Sequence, residues 1–193
     1  MNYRRTLILD AAITLLGSDG VRALTHRAVD AQAGLPAGST SNHFRTKDAL
    51  MAGVVERFVA RERAHADELT RTTAPSSPKE LADVMTAYAQ DAVGANRALT
   101  LARYALLVEG ALRPSLQPVL AEAGGDVDAW AVRWMRLAGS TRPERDLQIV
   151  GNHVTGVILH ELAHPSRKFD PGEEIAALVL ALLSPPDGSS SDD

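Results

Sequence analysis

One segment of the chain has the residue types and spacing of a metal site. Residues 160–164 read His-Glu-Leu-Ala-His, and on a helix this pattern places two imidazoles one turn apart as zinc ligands with a glutamate as general base. Pro165 follows directly, so we expect the pattern to lie in the last turn of its helix. The extended form of the motif would need Gly and His where Arg167 and Asp170 stand. The sequence therefore indicates an ordinary helix end. Histidine is common there, because its side chain interacts favourably with the negative end of the helix dipole.

No catalytic residue, metal or cofactor is predicted on this basis, and the protein is expected not to be an enzyme. A helical zinc-dependent hydrolase that uses residues 160–164 is the alternative. Whether His160 and His164 bind a metal ion stays open.

A second segment, residues 24–50, has the side chains of a DNA-reading element. Small and hydrogen-bonding side chains crowd its middle, where a helix that carries them can lie close to base edges. These are Ala37, Gly38, Ser39, Ser41 and Asn42. Phe44 follows and is expected to pack this helix onto a core. Asn42 has an amide that can pair with adenine through two hydrogen bonds.

The surrounding pattern predicts short helices that would position these side chains. Apolar residues repeat on one face of a first helix over residues 4–17, which Gly17 to Gly20 is expected to end. Thr25 can cap a second helix, and Gly34 ends it. Pro36 is placed to begin a third helix, and Thr46 can cap a fourth. Two short helices joined by a glycine-containing turn predict a helix-turn-helix.

The rest of the chain also reads as helical. A long periodic segment runs over residues 49–69, and a segment rich in Pro, Ser and Thr follows as a linker. Five further helices are predicted at residues 80–93, 97–112, 115–138, 144–163 and 172–183. No alternating strand pattern competes, so the fold class is all-α. We expect a DNA-binding domain at residues 1–48, a helical domain at 49–184 and a disordered tail at 185–193.

Composition and charge agree with this organisation. The net charge is -4, yet residues 1–51 hold six Lys or Arg against four Asp, so a positive head precedes an acidic body. The chain has no cysteine, which excludes disulfides and thiol-based redox chemistry. The longest apolar run, residues 175–183, is far shorter than the roughly 20 residues of a membrane span. We therefore predict a soluble cytoplasmic protein without membrane partners.

Residues 24–50 resemble the DNA-binding core of the TetR family of transcription regulators. The matching features are Thr25 at the start of the second helix, the Gly34-Leu35 turn, a short helix that ends in His43-Phe44, and Lys47 at a helix start. Three positions depart from the family pattern. The family usually has Tyr at Ser41, often an aromatic residue at Asn42, and a small residue, typically Ala, at Asp30.

The resemblance implies a role for each residue of this segment. Bases or the adjacent backbone would be faced by Ala37, Gly38, Ser41 and Asn42, with Ser39 beside them. His43 would contact phosphate, and Lys47 would clamp a phosphate together with the amino end of its helix. His26 and Arg27 match positions near the start of the second helix that can also reach DNA.

The later helices carry the candidate ligand site. The helix at residues 97–112 is apolar on most faces, yet it contains Arg103, Tyr104 and Glu109, which can orient a ligand in a cavity. Trp130 and Trp134 share a face on the next long helix. The resemblance implies an effector pocket here with an aromatic wall. Ordinary core packing of the tryptophans and an ion pair between Arg103 and Glu109 are the alternatives. His153 is the sixth candidate ligand residue, although a packing or interface role is its first interpretation.

The last two helices are the candidate dimer interface. Leu147, Val150, Val154 and Val157 make one stripe on the helix at 144–163, and Ile149, His153, Gly156 and His160 make another. The final helix is apolar nearly all round, so something must cover it. The resemblance implies that both helices pair with their twins in a four-helix interface.

Together these features predict a ligand-responsive transcriptional repressor. It would bind a palindromic double-stranded operator as a homodimer and be released by a small-molecule effector. A DNA-binding dimer without an effector, and activation in place of repression, stay open.

Overall fold

The computed structural model describes residues 3–69 and 74–183. All of its regular elements are helical, which confirms the predicted fold class. The helices are α1 (Tyr3–Ala23), α2 (His26–Gln32), α3 (Ser39–His43), α4 (Lys47–Leu69), α5 (Pro78–Val93), α6 (Arg97–Leu112), α7 (Gln117–Leu137), α8 (Pro143–Ala163) and α9 (Gly172–Leu183), with a 3-10 turn at Pro114–Leu116. The predicted tail at 185–193 lies outside the described residues.

The chain divides into two compact units. The first contains residues 1–68 and 94–127, and the second contains residues 69–93 and 128–193. Helices α1 to α4 therefore share a unit with α6, whereas α5, α8 and α9 make up most of the other. The predicted boundary after residue 48 divides the DNA-binding domain from the helical domain by function, not by packing, and it stays a prediction.

The first unit is built on the apolar face of α1. Ile8, Leu9, Ala12 and Leu16 are at most 2% exposed because they follow the helical period that the sequence shows. On the other side of α1, Asp10 accepts two hydrogen bonds from the Arg57 guanidinium on α4, at 2.8 and 2.9 Å. This planar pairing connects α1 to α4 across the edge of the core.

The helix runs past Gly17, and its backbone leaves the helical conformation at Gly20, where φ is 73° and ψ is -178°. Gly20 lies in the Gly17 to Gly20 segment that the sequence predicts as the end of the helix, and helical residues then continue to Ala23. Gly17 is buried against α6, and a Cβ added there would lie 2.1 Å from the carbonyl oxygen of Ala98. The glycine serves close helix packing, because only a residue without a side chain lets the two backbones approach this far.

The second unit has its own core between α5, α8 and α9. Its fully buried side chains include Leu81, Val150, Ile158, Ile175 and Val179. The inner stripe of α8 contains Val150 and Val154 as predicted, but continues to Ile158, while Val157 is only partly buried. A period of four residues along α8 explains this difference, since 150, 154 and 158 then point the same way.

Among the described residues, no helix combines the length and hydropathy needed to cross a membrane.

Candidate DNA-reading surface and C-terminal groove

Two threonine caps begin the helices that flank the recognition segment, as predicted. Thr25 Oγ1 accepts a hydrogen bond from the backbone N–H of Ala28 at 3.1 Å, at the start of α2. Thr46 Oγ1 accepts one from the N–H of Ala49 at 3.0 Å, at the start of α4. Each cap satisfies one of the free donors of a first helical turn, so both helix starts are set by local sequence.

The recognition helix α3 starts later than predicted. It begins at Ser39, because Gly38 has φ +91°, which lies outside the right-handed helical region. Pro36 stands in the preceding turn, where its carbonyl accepts from the N–H and the hydroxyl of Ser39 at 3.1 and 2.6 Å. The predicted start at Pro36 is therefore wrong. Helix α3 contains only the five residues Ser39–His43, about one and a half turns.

Asp30 on α2 holds the amino end of α3. Its Oδ2 accepts from the N–H of Gly38 at 2.8 Å, and its Oδ1 accepts from the N–H and the hydroxyl of Thr40 at 2.7 and 2.6 Å. Asp30 is 3% exposed and Thr40 is fully buried. Burial raises the pKa of the carboxyl, but the hydrogen bonds from Thr40 and Gly38 lower it by more, so the pKa lies below its ordinary value of 3.8.

Sequence reasoning missed this role of Asp30. Asp30 stands where the family typically has a small residue, so the family pattern marks it only as a departure. A second signal was present, because Thr40 is a polar residue at the inward position of an amphipathic turn. A buried carboxylate needs donors, and the hydroxyl of Thr40 supplies one.

Phe44 holds the other end of α3, as predicted. Its ring is 5% exposed and lies against Gly53 of α4 and under the guanidinium of Arg5, whose Cζ is 5.3 Å from the ring centroid. The carbonyl of Phe44 lies 2.7 Å from Nε2 of His26. A carbonyl oxygen only accepts, so Nε2 carries the proton in this contact.

The remaining side chains predicted to contact DNA are outside the core. Ser41, Asn42 and His43 are exposed on α3, and Arg27 is exposed on α2. Lys47 is exposed at the start of α4, with its Nζ 3.4 Å from the carbonyl of Val21. Ala37 is also exposed in the turn before α3, beside the partly buried Gly38 and Ser39. The DNA contacts of all nine residues stay predictions.

The six residues predicted to bind a ligand fall in both compact units. Arg103, Tyr104 and Glu109 lie on α6 in the first unit, where Arg103 is 3.7 Å from Glu62 and Glu109 is 2.6 Å from Arg113. Trp130, Trp134 and His153 belong to the second unit. The two tryptophan rings share a face, with centroids 3.9 Å apart at 47°. Their roles in ligand binding stay predictions.

An open groove of about 540 Å³ lies in the second unit between α8 and the start of α9. Three carboxylates line it, together with His153, His160, the partly buried Phe169, and Lys168, whose Nζ pairs with Asp170 at 3.2 Å. The carboxylates are Glu161, Asp170 and Glu174. The Nε2 atom of His153 is buried and has no hydrogen-bond partner among the described residues. The lining is thus net acidic and contains an aromatic ring, which suits an organic cation.

The His-Glu-Leu-Ala-His segment lies at the end of α8, as predicted. The helix ends at Ala163, and the rings of His160 and His164 have centroids 5.1 Å apart. Glu161 Oε1 accepts from the backbone N–H of Ser166 at 2.9 Å, so this carboxylate holds the chain that leaves the helix. The described part of the chain contains no group of three or more His, Asp or Glu placed to hold a metal ion.

Comparison with known protein families identifies the chain. Residues 8–54 match the DNA-binding domain described as bacterial regulatory proteins, tetR family. Residues 76–185 match a tetracyclin repressor-like C-terminal domain, which covers more than half of the chain. The protein belongs to the TetR family of transcription regulators, with a helix-turn-helix domain followed by the C-terminal domain of the family. The predicted family is therefore confirmed.

Solved structures of the same fold agree. Multidrug binding protein EbrR complexed with ethidium is similar, with 27% identity, a TM-score of 0.69, and coverage of 93% of this chain and 98% of that chain. A TetR family member from Streptomyces coelicolor A3 has 25% identity, a TM-score of 0.69, and coverage of 94% and 98%. A TetR-family regulator from Rhodococcus sp. shares the fold, with a TM-score of 0.77 at 19% identity and coverage of 94% and 99%. No curated protein matches the chain.

Proposed function

We propose that the protein is a repressor that binds a palindromic DNA operator as a homodimer and releases it when a small molecule binds. One observation carries the DNA-binding part. The short helix α3 presents Ser41, Asn42 and His43 to solvent while Thr40 and Phe44 hold its opposite face in the core. A helix so anchored offers base-reading side chains on one face without losing its own packing.

In this proposal the exposed side chains divide the contacts with DNA. Ser41 and Asn42 face base edges, and Asn42 is the residue suited to adenine. His43, Lys47 and Arg27 contact phosphate, which gives affinity without sequence information. Positive charge near this surface is expected to matter more than the overall charge of -4, since DNA meets only one end of the chain.

Two exposed leucines support a homodimer through α8 and α9. Leu159 on α8 and Leu180 on α9 are 47% and 45% exposed, whereas the buried face of each helix packs into the core of the second unit. Neither leucine lines the groove. A two-fold pair of these helices would cover both side chains. Binding to two half-sites one DNA turn apart requires the two copies of α3 in such a dimer to lie about 34 to 36 Å apart.

The acidic groove is the effector site that we propose, and an organic cation is its ligand class. The argument rests on the three carboxylates, on Phe169, and on the unpartnered Nε2 of His153. EbrR, a structural relative, is a multidrug binding protein solved with ethidium, a planar organic cation. A ligand that prefers the DNA-free arrangement of the dimer shifts the population toward that arrangement and so relieves repression.

Selection from a library of random duplexes tests the DNA-binding part. The purified protein is expected to enrich a palindromic sequence, and recovery of no preferred sequence would contradict the proposal. Operator identity then follows directly from the enriched pool.

Ethidium fluorescence tests the groove in the absence of DNA. Glu174→Gln is expected to weaken ethidium binding several-fold, because it removes one of the three carboxylates. Glu173→Gln is the matched control, since Glu173 is exposed in the same first turn of α9 but does not line the groove. Release from the enriched duplex is measured with tetraphenylphosphonium, because ethidium itself binds DNA. Equal effects of the two substitutions would reject the groove as the effector site.

A further inference from the structure

The geometry points to a pair of residues on α2, His26 and Asp30, that sets the pose of the recognition helix and thereby the sequence preference of the protein. This inference rests on the proposed DNA binding and adds the positioning residues that make it specific. We call the pair the α2 clamp.

The recognition helix cannot hold its own shape. It has five residues, far fewer than the roughly 12 to 15 that an isolated helix needs in water. Its N-cap residue, Gly38, has no side chain to cap it. Its conformation must therefore come from contacts with other elements.

The two residues of the clamp lie one turn apart on α2 and hold opposite ends of α3. Asp30 accepts from the N–H groups of Gly38 and Thr40, which are free donors at the amino end. His26 lies with its Nε2 2.7 Å from the carbonyl of Phe44, at the carboxyl end. An acceptor thus faces the end with free donors and a donor faces the end with free acceptors, which agrees with the helix dipole.

Asp30 also defines the rotation of α3 about its axis. Its Oδ1 receives the hydroxyl of Thr40 at 2.6 Å, and Thr40 is fully buried beneath the exposed Ser41 and Asn42. A buried polar contact is satisfied in one register only, because any rotation leaves the carboxylate without donors. An apolar contact at the same place would tolerate more sliding, so the carboxylate makes the pose of Asn42 more definite.

The contacts also change the reading of His26. The sequence resemblance placed this residue among those that reach DNA. Its Nε2 is directed at the Phe44 carbonyl instead, so His26 acts here through the recognition helix. Arg27, which is exposed beside it, stays the candidate for phosphate contact.

Two variants of Thr40 and one of Asp30 test the clamp. Asp30→Asn keeps the size of the side chain but turns one acceptor into a donor, which leaves the N–H of Gly38 without a partner. Thr40→Val removes the hydroxyl, and Thr40→Ser restores it. Binding is measured on the duplex enriched by the parent protein and on a scrambled duplex of the same composition.

We expect Asp30→Asn and Thr40→Val to lower the ratio of the two affinities about tenfold or more, with binding to the scrambled duplex within about twofold of the parent. Thr40→Ser should restore the ratio. Failure of the parent itself to prefer any duplex would contradict the proposed function. An unchanged ratio in folded Asp30→Asn would overturn the clamp alone.

A measurement without DNA checks the clamp independently. In labelled protein, the amide resonances of Gly38 and Thr40 should shift together as the pH falls below the ordinary 3.8 of an aspartate, because both N–H groups donate to one carboxylate. Asp30→Asn should abolish this common titration while the protein stays folded. Absence of the titration in the parent would overturn the assignment.

Discussion

The ring of Phe44 lies where a side chain on Gly53 would otherwise stand. A Cβ added to Gly53 would be 2.7 Å from Cε1 of Phe44 and 3.3 Å from Cδ2 of Leu9. The first long helix after the recognition segment thus leaves space for the residue that ends that segment. Anything that fills the space displaces Phe44 and, with it, the carboxyl end of α3.

We therefore expect Gly53→Ala to lower the free energy of unfolding by about 1 to 3 kcal/mol, as overpacking of a core does. Gly151→Ala is the matched control, because it also lies inside a helix but no atom lies within 4 Å of the added Cβ. Helix propensity should make that variant more stable by up to about 1 kcal/mol. Urea unfolding of both variants checks the opposite signs, and a gain of stability for Gly53→Ala would show that the ring moves freely.

The pKa of Asp30 predicts a stability that falls in acid. Folding lowers this pKa, so the unfolded state binds more protons at a pH between the folded value and the ordinary 3.8. The contribution is present above the ordinary value and is lost as the pH falls through the folded value. Asp30→Asn should be less stable than the parent at neutral pH, and the difference should shrink in acid. Urea unfolding between pH 3 and pH 6 measures it, and parallel curves would contradict the prediction.

Lys47 and Asn42 should affect DNA binding in different ways. Lys47→Ala is expected to weaken binding to every duplex alike. It should also reduce the slope of log affinity against log salt concentration by about one unit for each Lys47 removed from the dimer. Asn42→Ala should cost about 1 to 3 kcal/mol on the enriched duplex only. Lys79→Ala removes the same charge on α5, where Lys79 pairs with Asp83, and serves as the control. Binding titrations of the enriched and scrambled duplexes at several salt concentrations measure both effects. Equal weakening of both duplexes by Asn42→Ala would mean that other residues read the bases.

The dimer prediction concerns the two exposed leucines of α8 and α9. Leu159→Arg and Leu180→Arg should each yield a monomer with weaker binding to the enriched duplex, since a charge would be buried in the interface and one head offers half the contacts. Leu137→Arg is the control, because Leu137 is 46% exposed at the end of α7. Sedimentation at micromolar concentration compares the oligomeric states of the three variants with that of the parent. A monomeric parent would remove the prediction.

Local chemistry was the part of the fold that the sequence could predict. The caps at Thr25 and Thr46 involve residues three positions apart, and the burial of Phe44 follows from its place in an otherwise polar segment. The apolar stripes of α1 and α8 also follow from a period that the chain itself shows. Such features need no knowledge of what lies on the far side of a helix.

The features that were missed depend on distant residues. The packing role of Gly17 could not be predicted, because glycine ends helices more often than it allows close packing and because its contact Ala98 on α6 lies some 80 positions along the chain. The start of α3 was misplaced because Asp30, on another helix, holds Gly38 in its left-handed conformation. The groove between α8 and α9 was not foreseen, since its lining comes from two helices and the loop between them, and only His153 among the predicted ligand residues lines it.

The separation of anchoring from display in α3 has a consequence for how such a protein acquires new targets. Ser41, Asn42 and His43 are exposed outside the core, and the hydroxyl of Ser41 donates to the carbonyl of Gly38 at 2.9 Å, so we expect exchanges at Asn42 and His43 to cost the least folding stability. Exchanges at Thr40 and Gly38 should cost more, because one is fully buried and the other has φ +91°. The DNA-binding domain is accordingly suited to reprogramming, in the laboratory or by gene duplication and drift, at adjacent codons whose side chains lie outside the core.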